Sequence, residues 1–97
     1  NGLGHGGEGE TSIVMAVRPD LVNLEDAICQ MPNDMISLSE FSNVIFDIGE
    51  ITETGAIGDP TKATREKGEE MLRIVTEYVV KLIEKLESKD WKYDLKE

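Results

Sequence analysis

His5-Gly6-Gly7-Glu8-Gly9-Glu10-Thr11-Ser12 is the stretch on which the reading of this chain turns. It holds the single histidine of 97 residues, with Glu10 five positions further on. An apolar run, Ile13-Val14-Met15-Ala16-Val17, follows at once. Glycine lacks a Cβ and tolerates positive φ, so the backbone here can come close to a ligand. An imidazole and carboxylates at the mouth of a helix suit general acid–base chemistry or a divalent cation. His5 and Glu10 are therefore candidate site residues, with Gly6, Gly7 and Glu8 around them.

The segment Gly2-Leu3-Gly4-His5-Gly6-Gly7 also fits G-x-G-x-x-G, a spacing that marks dinucleotide binding only between a strand and a helix. No strand is legible before it, and Glu8 and Glu10 follow it. Carboxylates repel a pyrophosphate, whereas phosphate sites at helix starts work because they are positive. The spacing is set aside.

The chain is long enough for one domain and has two Phe, two Tyr and one Trp to build its core. Its net charge is −10, all of it in residues 1–60, where eleven acids face one base, Arg18. Residues 61–97 balance nine acids with nine bases. Nucleic-acid binding is driven by basic patches, so no nucleic-acid partner is expected. No run is long and apolar enough to span a bilayer, and the first residues lack a basic and apolar leader pattern. Cys29 is the only cysteine and reads as a small buried hydrophobe in a reducing, cytoplasmic setting.

Thr11 and Ser12 are good N-caps for a helix over Ile13–Arg18, which Pro19 stops. Leu24–Met31 reads as one or two helical turns ended by Pro32. Val44-Ile45-Phe46-Asp47-Ile48 reads as a short strand. Residues 50–60 read as an ordered loop packed on something, punctuated by Gly55, Gly58 and Pro60. Asp59 or Thr61 can then cap a long helix with Pro60 in its first turn. Met71, Val75, Tyr78, Val79, Leu82, Ile83 and Leu86 recur at i, i+3, i+4 and form its apolar face. Glu70, Arg73, Glu77, Lys81, Glu84 and Lys85 form the solvated one. Trp91 and Tyr93 are expected to tuck against a neighbour. These elements close no sheet on their own and leave the stripe without a partner.

The opening octet resembles the H-[AG]-G-x-x-E-T-S motif of the creatininase (creatinine amidohydrolase) family. Ala16-Val17-Arg18-Pro19-Asp20-Leu21-Val22 resembles its A-x-x-P-D-L-V. Gly58-Asp59-Pro60-Thr61-Lys62-Ala63-Thr64-Arg65-Glu66-Lys67-Gly68 resembles its G-x-P-x-x-A-[ST]-x-E-K-G. Three matches in order imply the C-terminal portion of a three-layer α/β/α fold with a mainly parallel sheet. In this reading residues 1–22 are the active-site loop and helix, 23–60 a long ordered loop region, and 61–89 the C-terminal amphipathic helix.

The resemblance implies a metal-dependent hydrolase of a non-peptide C–N bond, with Zn, Mn or Fe as the divalent metal and a small-molecule amide as substrate. It implies a homo-oligomer, commonly a hexamer, and the N-terminal remainder of the enzyme as partner, since the family's E-x-H and N-G-H metal motifs are not in this sequence. It gives His5 the role of proton transfer or of steadying the tetrahedral intermediate. It makes Glu10 a metal ligand or the residue that orients one, and leaves Gly6 and Gly7 to the substrate; Glu8, at a variable position, is equally open to a solvated or a substrate-facing role. Creatininases proper carry a Trp and an acid where this chain has Asn1 and Gly4, which argues against creatinine as substrate. The reading that stands against catalysis is an acidic assembly or interaction subunit that docks through helix 61–89.

Overall fold

The computed structural model describes residues 4–31 and 47–92. They form helix α1 over Glu8–Val17, a single helical turn α2 over Ile48–Ile51, and the long helix α3 over Arg65–Glu87. Three short 3₁₀ turns, Pro19–Leu21, Leu24–Asp26 and Pro60–Lys62, join them. Among the described residues the only pairings of β type are two isolated antiparallel bridges, His5 with Ile57 and Gln30 with Gly58. The expected parallel sheet is not seen among them.

α1 starts a turn earlier than expected. Its N-cap is Gly7, which contributes no side-chain bond, and Glu8 and Glu10 fill the first turn. Acids there complement the positive helix end. Thr11 and Ser12 lie inside the helix, not at its cap. Their hydroxyls reach back instead: Thr11 Oγ1 donates to the Gly6 carbonyl at 3.4 Å and Ser12 Oγ to that of Glu8 at 2.6 Å. The stop falls where proline places it. Arg18 leaves the helical region (φ −141°, ψ 72°) ahead of Pro19.

The region 23–60 corrects several further expectations. Leu24–Asp26 is one 3₁₀ turn capped by Asn23, and residues 27–31 form no further helix. Asp47 and Ile48 do not end a strand: the Asp47 carboxylate accepts the Gly49 N–H at 2.8 Å and caps α2. An aspartate followed by glycine favours a cap over a ladder. Residues 44–46 and Pro32 lie outside the described residues. Cys29 is exposed, not buried, because its segment is tied down at the neighbouring Gln30, by one backbone bridge and two bonds from Thr54, and enters no core.

Asp59 caps the 3₁₀ turn Pro60–Lys62, and Thr64 caps α3 by accepting the Lys67 N–H at 3.2 Å. α3 therefore begins later than residue 61. Beyond it, Asp90 adopts φ +51°; its N–H bonds Glu87 O at 3.0 Å while that of Trp91 bonds Leu86 O at 2.9 Å, the paired closure of a Schellman end. Trp91 is exposed, and Tyr93 is outside the described residues.

α1 lies on the first turns of α3, and the contact is backbone to backbone. A Cβ at Gly68 would stand 1.8 Å from the Ser12 carbonyl oxygen and 3.0 Å from Ala16 Cβ. Ser12 is wholly buried there, and its hydroxyl accepts the Thr64 N–H at 3.1 Å. The packed core goes no further: Ala63 is the only buried hydrophobic side chain among the described residues. The stripe of α3 forms as a helical face, but Ile74, Val75, Tyr78, Val79, Leu82 and Ile83 are all exposed, Tyr78 at 68%.

Gly68→Ala should lower the unfolding free energy of the intact protein by roughly 1–3 kcal/mol, the usual cost of overpacking. It should do so despite alanine's advantage of about 1 kcal/mol within a helix. Lys81→Ala, on the exposed side of the same helix, should change it by less than about 0.5 kcal/mol. Urea denaturation of the three proteins checks this.

Candidate functional site

His5 sits on the surface at the entry to α1, and its position is set by backbone. Its N–H donates to the Ile57 carbonyl at 2.9 Å and its carbonyl accepts the Ile57 N–H at 2.7 Å. The glycine before it permits this contact: Gly4 has φ +30°, and a Cβ there would lie 1.8 Å from the Ile57 oxygen. The glycine after it, Gly6, has φ +57° and is held on both sides. Its N–H donates to the Glu10 carboxylate, and its carbonyl accepts from Thr11. His5 is thus fixed between a loop on one side and the first turn of α1 on the other.

Glu10 is brought to His5 through this bond to Gly6, one residue along. The other candidates are placed differently. Gly7 is the buried cap of α1, and the N–H of Gly6 is already taken by Glu10. The Glu8 carboxylate, a candidate to face substrate, reaches across to α3 and pairs with Lys67 Nζ at 2.6 Å. Lys67 Nζ also donates to the Lys62 carbonyl at 2.7 Å. The Lys67 hydrogen bond holds the Glu8 carboxyl below its ordinary value of 4.5, against a smaller opposing effect of burial. In this arrangement Glu8 fastens α1 to α3.

Two hollows flank α1. One, of about 690 Å³, is the open groove between α1 and α3, with Glu8, Ser12 and Met71 on its wall; neither His5 nor Glu10 lines it. The other, of about 440 Å³, lies between α1 and the segment Leu21–Ala27 and includes Gly6, Glu10, Asn23 and Asp26. Of the candidate residues, Gly6 and Glu10 line the smaller hollow and Glu8 the larger; His5 lines neither. Among the described residues no three His, Cys, Asp or Glu side chains converge as a metal cage would need. His5 and Glu10 do not make such a cage between them.

The loop that sets His5 was legible only as a loop. Ile57, which bonds His5, carries no chemical side chain, so no residue type advertised it. Gly55 at φ +81° and Gly58 at φ +141° were the one local sign that the segment turns sharply and returns.

The model of the family "Creatininase: Creatinine amidohydrolase" matches residues 1–83. The chain belongs to the creatininase family. A solved structure, a Bacteroides fragilis protein described provisionally as a creatinine amidohydrolase, superposes with a TM-score of 0.68 at 32% identity. The match covers 94% of this chain and 36% of that one, so the chain spans about a third of its relative's length. The fold is creatininase-like over the matched part. No curated protein matches the chain. No described helix of this creatininase-family chain is long and apolar enough to cross a membrane.

The lowered Glu8 carboxyl has a consequence for acid stability. A group held below its unfolded value stabilises the fold above that value and loses the effect as pH falls through the folded one. Glu8→Gln should therefore lower the melting temperature of the intact protein at neutral pH, and the gap to wild type should close as pH drops below 4.5. Melting curves at a series of pH values give the answer; a gap independent of pH would mean the ion pair contributes nothing.

Proposed function

We propose that this chain supplies the histidine and one carboxylate of the site in a metal-dependent, creatininase-type hydrolase of a non-peptide C–N bond. The observation that carries the reading is the Glu10 carboxylate bonded to the backbone N–H beside His5, in a loop pinned from both sides. Opening an amide requires a proton for the departing nitrogen and relief of the charge on the tetrahedral oxygen. An imidazole can give and take a proton near neutral pH. His5 is exposed, and its main chain is held at a fixed place, which spares the entropy of bringing the group to a substrate. The hollow beside Gly6 and Glu10 is where a small amide would lie.

Glu10 fits the role of a metal ligand or of the residue that orients one. Its bond to Gly6 uses part of its capacity, since a carboxylate has about four lone-pair sites. A Zn, Mn or Fe ion would draw most of its ligands from the remainder of the domain, which would also cover the apolar stripe of α3. A second reading, a non-catalytic acidic assembly subunit, is favoured by one observation: that same stripe lies open along α3.

Turnover and metal content of the intact purified assembly separate the two readings. His5→Ala should lower kcat by about a hundredfold or more, the scale of a lost acid–base group, with an unchanged melting curve. Near-normal turnover would remove His5 from the chemistry. Glu10→Gln keeps an acceptor for the Gly6 N–H but loses the charge, so metal occupancy should fall while the loop stays formed. Full occupancy and full activity in that variant would take Glu10 out of the site. An assembly without metal or turnover would favour the assembly subunit.

A further inference from the structure

One residue outside the motif, Gln30, is bonded to the loop that pairs with His5. Gln30 touches the turn 54–58 at both ends. Its side-chain Oε1 accepts from Thr54 N at 3.1 Å and from Thr54 Oγ1 at 2.6 Å. Its main chain exchanges two bonds with Gly58, Gln30 N to Gly58 O at 2.9 Å and Gly58 N to Gln30 O at 2.7 Å. Within the turn, Thr54 Oγ1 also accepts the Ala56 N–H at 3.3 Å, and Gly55 makes the bend at φ +81°. The neighbour of Gly58 is Ile57, the residue that exchanges both its bonds with His5. The segment 56–58 is thus the middle of a three-stranded ladder one bridge wide, with Gln30 on one edge and His5 on the other.

We propose that Gln30 is a positioning residue for His5, acting through the turn 54–58. The proposal rests on the reading of His5 as the acid–base group only where it concerns turnover. The physical ground is that an isolated bridge has no adjoining pairs to keep its register, and short two-stranded pairings are marginal in water. What holds Ile57 opposite His5 is therefore the closure of its own turn. Gln30 is the only described residue outside the turn whose side chain bonds the turn's entry, at Thr54. Both Thr54 donors lie at the surface, so losing their acceptor exposes them to water and leaves no buried group unpaired. The loss is felt as loosening of the turn rather than collapse of the fold.

The test is hydrogen exchange by mass spectrometry, with kinetics, on the intact protein and two variants. Gln30→Met keeps the length and removes the acceptor; Gln30→Glu keeps an oxygen that can accept both Thr54 bonds. In Gln30→Met the amides of His5 and Ile57 should exchange about tenfold faster, the scale of one net hydrogen bond. Those of α1 and α3 should not change, and Gln30→Glu should restore the wild-type pattern. Turnover is read on the best substrate among creatinine, an N-formyl arylamine and a cyclic urea. There kcat should fall about tenfold in Gln30→Met, with KM within about twofold, as for a displaced catalytic group.

Unchanged exchange at His5 overturns the proposal. So does faster exchange spread over α1 and α3, or failure of Gln30→Glu to restore the pattern. An active wild type whose kcat ignores Gln30→Met overturns it as well and leaves the hydrolase reading standing. A wild type that opens no amide, with the expected exchange pattern, sinks the hydrolase reading and sustains the positioning of His5.

Discussion

Everything described in this chain depends on one close approach, the backbone of α1 at Ser12 against the backbone of α3 at Gly68. Helices are ordinarily held 8–10 Å apart by their side chains. Here one of them has none at the contact, and the Ser12 carbonyl occupies the space a Cβ would need. The hydroxyl of Ser12 then links the two helices, donating within α1 and accepting from Thr64. Thr64 in turn caps α3, so the start of one helix is tied directly to the body of the other. The pair of Glu8 and Lys67 adds a second fastening a turn away. With so little apolar burial among the described residues, these polar and steric constraints set the frame, and the loop that carries His5 grows from its end.

The site follows from that frame in two steps. α1 is capped by Gly7, and its first turn offers Glu10 and Thr11 to the two polar groups of Gly6. The returning loop offers Ile57 to the two polar groups of His5. The N–H and C=O of both His5 and Gly6 are accounted for, and among the described residues the imidazole ring has no hydrogen-bond partner. A main chain committed in this way holds a side chain at a fixed place without engaging it.

Periodicity carried the sequence reading where it succeeded and local chemistry misled it where it failed. The stripe Met71–Leu86 was legible because a helix imposes its 3.6-residue repeat whatever covers it. Pro19 as a stop was legible because its effect is confined to the preceding residue. The start of α1 was misread since Thr11 and Ser12 look like caps, and only the tertiary contact shows Ser12 turned to other use. Asp47 was read into a strand by the apolar residues before it, although its side chain caps a helical turn. The partners of His5 were beyond reach for a different reason: Ile57 is remote in sequence, and the bond from Thr54 to Gln30 spans 24 positions. No local pattern encodes a pairing at that distance.

In the third family segment of this chain, Gly58 to Gly68, several of the letters have structural duties. Ala63 is the one buried hydrophobic residue described, Thr64 is a cap, Lys67 is a tether and Gly68 is a gap for a neighbouring carbonyl. Of the letters that close the opening motif, Ser12 is likewise spent on packing, while Thr11 bonds the Gly6 carbonyl. The signature by which such chains are recognised is thus in large part a record of how two helices meet. A descendant that had abandoned catalysis would still need these residues to stand upright, and would still wear the family's mark. The side chains of His5 and Glu10 are not required by the helix contact, which sets them apart from these letters.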